Sequence, residues 1–232
     1  MKNQAPRMGR SYRPWLAATA ALMVSCNGFA ATDSWACGGL SNHYGPFDYR
    51  TDRGETLDVV NRAHFTTKIE ALVRGHTTSI GGDLSYTLRA FPNHHRALLT
   101  MMRYGQKLKT RQPKDAEFSV ECYFQRALRF RPDDAVARMM YANFLTLNAR
   151  GADARVQLEQ VTHLAGDNAF THYNLGLAYL DLMDYEKALQ QAHKAIALGL
   201  GQSALRDRLV AAGKWREPEA LVTPLPLIPT SE

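Results

Sequence analysis

The side chains in this sequence best suited to hold a metal ion are the adjacent pair His94-His95, together with Cys37 and His43. Their spacing argues against it. Neighbours on a helix point about 100° apart, while ligand pairs on one helix face stand at i,i+3 or i,i+4, and no two of the eight histidines have that spacing. Asn93 to His95 read instead as a helix start behind Pro92, and no metal or other cofactor is expected. Nucleophilic chemistry has no better footing: no G-x-S-x-G elbow occurs, and no cysteine has an activating partner close in sequence. Gly81-Gly82 lacks the spaced glycines and the Lys-Ser/Thr of a phosphate loop. No catalytic residue emerges, and the chain is read as a binding protein and not an enzyme.

The elements that position these residues follow from composition and period. With 232 residues and 45% hydrophobic content, the chain can build one compact domain with an ordered extension. Lys2, Arg7, Arg10 and Arg13 precede the apolar run from Trp15 to Ser25, with small residues at Gly28 and Ala30. That is the layout of a secretory signal peptide, so residues 1–30 are expected to be cleaved and the product to be periplasmic or secreted. The stretch Leu22-Met23-Val24-Ser25-Cys26 also resembles a lipobox, which gives a lipid anchor on Cys26 as the alternative. Of 28 Lys and Arg, the four in the leader leave 24 against 22 acids. The near-balance removes the case for nucleic acid. Loss of Cys26 leaves Cys37 and Cys122, an even pair suited to an oxidising compartment.

Residues 31–91 read as a strap followed by short helices. The segment to about Arg53 has no sustained period; Leu57, Val60, Ala63, Ile69, Leu72 and Val73 then recur at helical spacing up to Gly75, with a break near Thr66-Thr67. Asp83 is the expected cap of a helix carrying Leu84, Tyr86, Leu88 and Phe91. Residues 92–212 are more regular. With Ala169 as position 1, Leu175, Gly176 and Tyr179 fall at 7, 8 and 11, and Ala188 and Ala195 at 20 and 27. Thirty-four residues earlier, Tyr141, Ala142 and Leu145 hold the first three positions and Ala154, Leu158 and Val161 hold 20, 24 and 27. A looser unit precedes them, with helices expected over His95 to about Gln106 and about Asp115 to Phe130, and an insertion at Lys107 to Lys114. Ser203 is expected to cap a last helix to about Ala212, ahead of a proline-rich tail over residues 213–232.

The run Asn174-Leu175-Gly176-Leu177-Ala178-Tyr179, with Asp184-Tyr185-Glu186-Lys187-Ala188 behind it, resembles the tetratricopeptide repeat, a 34-residue helix-turn-helix unit. The resemblance implies an all-α fold: about three hairpins and a capping helix in a short right-handed superhelix, with small residues at 8, 20 and 27 for close helix packing and large apolar ones at 4, 7, 11 and 24. The segments His43 to Arg50 and Phe91 to Leu98 also look similar to an uncharacterised group of exported bacterial proteins with such repeats.

The family further implies that positions 2, 5, 6, 9, 12 and 13 line a concave groove. These are Arg96, Leu99, Arg103 and Gln106; Val136, Met139, Met140, Asn143 and Leu147; and Phe170, Tyr173, Asn174, Leu177 and Asp181. Arg208 of the capping helix completes, with Asn143 and Asn174, three of the five places of a carboxylate clamp. Cys122 falls at position 22 of its unit, away from the packing positions, where a disulfide to Cys37 would tie the strap to the first hairpin. The expected function is that of an envelope adaptor or assembly factor holding an extended peptide or helix of another protein, with a metal-binding, small-ligand or enzymatic protein scaffolded by the repeats as the alternative. Tyr44, Phe47 and Tyr49 are read as pinning the strap to the domain.

Overall fold

The computed structural model describes residues 37–218. The expected signal segment, Cys26 and the prolines at 224, 226 and 229 lie outside the described residues. Those residues form ten α-helices and no strand: α1 (Glu55–His64), α2 (Thr67–Glu70), α3 (Ile80–Ala90), α4 (His95–Leu108), α5 (Val120–Phe130), α6 (Ala135–Leu147), α7 (Gly151–Leu164), α8 (Ala169–Asp181), α9 (Tyr185–Ala197) and α10 (Ala204–Ala211). From α4 onward they pair as hairpins α4–α5, α6–α7 and α8–α9, with α10 packed behind the last.

The 34-residue period is written into the backbone. Asp134 and Asn168 cap α6 and α8 by accepting from the N–H groups of Ala137 and Thr171 at 3.0 and 2.9 Å, which satisfies donors that a helix start leaves open. The turns between paired helices pass through left-handed backbone at Ala149 and Met183, also 34 apart. Tyr141, Ala142, Leu145, Ala154, Leu158 and Val161 are all buried, as are Leu175, Tyr179, Ala188 and Ala195 at matching places. Each fully buried Leu or Val contributes about 1.5–3 kcal/mol. Gly176 is buried where a Cβ would stand 2.3 Å from Leu205 Cδ2, so its smallness lets α10 close over the end of the array.

Position 4 departs from the pattern. Arg138 and His172 stand there, and His172 is buried with its ring nitrogens 2.7 Å from Gln191 Oε1 and 2.8 Å from the Gly166 carbonyl. A polar bridge inside the hairpin replaces the apolar filler.

Four local expectations need correction. Helix α5 begins at Val120 and not near Asp115: Asp115 has φ 63, a left-handed turn behind Pro113, and Ser119 supplies the cap by accepting from Cys122 N–H at 3.2 Å. The cap of α3 is Ser79, which accepts from Gly82 N–H at 3.2 Å. Asp83 instead turns back, fully buried, to accept from the N–H groups of His76, Thr77 and Thr78, with His64 Nδ1 3.0 Å away. Its role is to fold the preceding loop onto α1 and α3. Val73 is 69% exposed, since the chain leaves the core after Leu72. Ser203 stands at the start of α10 without a side-chain cap bond.

Candidate functional site

Helices α6 and α8 lie side by side, each backed by its partner α7 or α9. Their outer faces carry Val136, Met139, Met140 and Asn143 on one and Asn174, Leu177 and Asp181 on the other. These seven side chains line one open cavity of ≈ 390 Å³. Its floor is apolar and deeper: Ala142, Leu158 and Ala178. Thr146, one helical turn beyond Asn143, completes the wall, its hydroxyl already donating to the Ala142 carbonyl at 2.9 Å. Thr146 was missed from sequence although it occupies position 12 of its unit, one of the positions that face the groove.

The other groove candidates fall elsewhere. Phe170 is 59% exposed, Leu147 is 56% exposed, and Tyr173 packs half-buried against the core; none lines the cavity. Arg96 is engaged by Glu70 of α2, with Nε donating to Oε1 at 2.8 Å, and its guanidinium lies over the Phe65 ring. Lys107 Nζ donates to the Leu72 carbonyl at 3.2 Å. Thus α2 and the turn behind it lie along the outer face of α4, and Arg96, Leu99 and Arg103 stand apart from the cavity. Gln106 lines a separate cavity of ≈ 220 Å³ with Lys109, Arg111 and Asn148. Arg208 is paired: its Nη2 stands 2.7 Å from Asp181 Oδ1 at the groove rim, with both side chains about half exposed.

A second cluster gathers the histidines that first suggested metal chemistry. Among the described residues no set of three or more His, Cys, Asp and Glu side chains is placed to hold an ion. His94 is the cap of α4, its Nδ1 accepting from Ala97 N–H at 3.1 Å. His95 Nε2 lies 2.9 Å from buried Asp134 Oδ2. Burial works against ionisation of Asp134, but His95 and the Ala137 N–H outweigh it and hold the carboxyl below its ordinary range. Asn93 bridges two carboxylates, its Nδ2 donating to Asp48 Oδ1 at 2.7 Å and Asp134 Oδ2 at 2.8 Å. Tyr49 N–H donates to Asn93 Oδ1 at 2.9 Å, and Phe47 N–H to the Ala90 carbonyl at 2.9 Å. Tyr44, Phe47 and Tyr49 pack against Leu57, Val60, Ala90 and Phe91. The segment from His43 to Arg50 is therefore bound to the one from Phe91 to His95 along its length, as a structural strap.

The strap also reaches α5. The sulfurs of Cys37 and Cys122 are at bonding distance, 2.08 Å, with Cα atoms 5.2 Å apart, inside the limit of about 7 Å for a bridge. Beside them Arg126, 1% exposed, donates through Nη1 to the carbonyls of Cys37 and Gly39 at 2.8 and 2.6 Å.

No protein-family model matches the chain, and no curated protein matches it either. Among the described residues no helix is long and apolar enough to cross a membrane.

Proposed function

We propose that this chain is an exported adaptor of the tetratricopeptide type, working by binding and not by catalysis, and that the face of α6 and α8 holds an apolar segment of another protein. The observation that carries the reading is the ≈ 390 Å³ cavity between Met139, Met140 and Leu177, open to solvent and flanked by the amides of Asn143 and Asn174. Apolar side chains supply binding energy by leaving water, and methionine adapts its shape to varied partners. The two amides can fix a backbone passing over the floor, as polar groups at the edge of an apolar site commonly do. The cystine pair and the leader layout support a place in an oxidising compartment outside the cytoplasm.

Carboxylate capture is the weaker form of the proposal. Met139 and Ala204 occupy two positions that a carboxylate clamp fills with lysine, and Arg208 already has the Asp181 carboxylate beside it. An incoming carboxylate would have to displace that partner.

The test is in-cell crosslinking from a photoreactive residue at position 139, followed by affinity measurement with the captured protein. Met139→Asp and Leu177→Asp, measured at a temperature where the melting curve shows each variant folded, should each lower affinity at least tenfold, since each sets a charge against an apolar surface. Unchanged affinity in both variants would exclude the groove as the site.

A further inference from the structure

Among the described residues, almost every arginine is engaged by a carboxylate, a carbonyl, an amide or an aromatic ring. The exceptions are Arg74, Arg103 and Arg111. All three lie near the end of α4, Arg103 and Arg111 by chain position and Arg74 through the Lys107–Leu72 contact. Arg103 and Lys107 are one turn apart near the end of α4, and Lys109 and Arg111 follow in the loop, lining the same ≈ 220 Å³ cavity. Arg74 stands two residues past Leu72, whose carbonyl receives Lys107 Nζ. Of the acids in the flanking chain, Glu70 pairs with Arg96 and Glu117 with Arg89.

Two exposed apolar side chains adjoin these cations in the chain. Leu108 is 44% exposed and Val73 is 69% exposed, and both adjoin the Lys107–Leu72 contact. The loop is also the one place where the 34-residue period is broken. The turn of the second hairpin goes from Ala149 to α7 at Gly151, whereas the first goes from Lys109 to α5 at Val120. Within that longer loop Gln112 ties the backbone by donating to the Ala116 carbonyl at 3.0 Å, and Ala116 is buried. Lys109 and Arg111 contribute no side-chain bond to this arrangement.

We propose that this corner is a docking surface for anionic phospholipid membranes, with Arg74, Arg103, Lys107, Lys109 and Arg111 meeting lipid phosphates and Leu108 and Val73 entering the headgroup layer. A cluster of four to eight Lys and Arg is the composition that anionic bilayers attract, at about 1 kcal/mol for each cation near the surface, and apolar side chains beside the cations add burial at the interface. Long cationic side chains suit this position because their stems lie along apolar material while their heads stay with water and phosphate. An acidic protein segment would satisfy the charges, but would leave Leu108 and Val73 with no reason to stand exposed between them. The proposal is independent of what the α6–α8 groove holds.

The experiment is co-sedimentation of the purified full-length protein with phosphatidylglycerol-rich vesicles and with pure phosphatidylcholine vesicles, at two salt concentrations. Binding to the anionic vesicles, weakened by salt, is expected. Arg103→Gln with Arg111→Gln should lower the partition coefficient roughly thirtyfold, two cations' worth. A charge-matched pair placed elsewhere, Arg62→Gln with Lys194→Gln, should stay within about twofold, and Leu108→Ser should lose several-fold. All variants are exposed positions and should melt with the parent. Equal binding to neutral vesicles, equal loss in both charge-matched pairs, or no effect of the Arg103/Arg111 pair would each overturn the proposal. Retention on polyglutamate without vesicle binding would overturn it too, and would assign the corner to an acidic protein.

Discussion

Asn93 Nδ2 donates to Asp48 Oδ1 at 2.7 Å although the two residues lie 45 positions apart, and both are buried. The Asp48 carboxylate also receives Arg131 Nε at 2.6 Å and Arg50 Nη2 at 2.8 Å. The Arg50 guanidinium holds this carboxyl well below the usual carboxylate range; burial opposes it, and the Asn93 amide and Arg50 N–H reinforce it. An unfolded Asp takes up its proton near pH 3.9, above the folded value, so the stabilisation is complete above about pH 4 and is lost as pH falls below it. Asp48→Asn should cost about 3 kcal/mol at neutral pH. Denaturant titrations from pH 7 to 2 should show a shallower acid decline in the variant; an equally steep decline would remove Asp48 from the account.

His94 predicts a second pH window. Its ring packs against Tyr49, Phe65 and Phe91, and burial pushes its pKa down to about 3 from an ordinary 6.5. Nδ1 accepts from Ala97 N–H, so the proton of the neutral ring sits on Nε2, facing Asn61 Oδ1 at 3.3 Å. The unfolded chain binds a proton that the folded chain refuses between these values, so stability is fully present above about pH 6.5 and declines as pH drops toward 3. His94→Asn keeps a capping acceptor without the titration. It should lower stability by about 1–2 kcal/mol at pH 7 through lost packing while flattening the profile between pH 7 and 4, which thermal melts across that range would reveal.

The cystine between Cys37 and Cys122 spans 85 positions. By the loop-entropy argument, closing a loop of this length stabilises by roughly 4 kcal/mol. Cys37→Ser with Cys122→Ser should lower the melting temperature strongly and make it insensitive to reductant. Thiol counting on the unfolded, unreduced parent should find neither cysteine free; two free thiols would remove the bridge.

The Arg208–Asp181 pair gives a prediction about the groove. Both side chains are about half exposed, so the pair contributes at most about 1 kcal/mol to stability. If the groove holds an apolar segment, Arg208→Ala changes partner affinity by less than about twofold. A loss of tenfold or more, the size expected for a charged hydrogen bond, would instead favour carboxylate capture. Calorimetric titration with the crosslinked partner distinguishes the two.

The helical register from α6 to α9 was legible in the sequence because it rests on local spacing. Ala142, Gly176, Ala154 and Ala188 are small where two helices must approach, and large apolar residues fall one turn away, so a 34-residue step finds them without knowledge of the rest of the chain. The family resemblance placed Met139, Asn143, Asn174 and Leu177 on the faces that now line one cavity. The expected loss of Cys26 with residues 1–30 left Cys37 and Cys122 as an even pair and suggested their pairing, and the 5.2 Å Cα separation makes it possible geometrically.

Local spacing carries no information about which distant segments meet, and there the tertiary structure decided. Asp83 has the residue type of a helix cap, but the loop folding back over α3 offers it three N–H groups, and Ser79 takes the cap. Arg96 has the helix position of a groove residue, but α2 brings Glu70 to it and removes it from the open surface. Asp48, Asn93, Asp134 and His95 come from three separate stretches of chain, and no period relates them. Buried charges and amides are stable only when every partner arrives together. A sequence can state that such groups exist; which of them meet depends on the path of the backbone that carries them into contact.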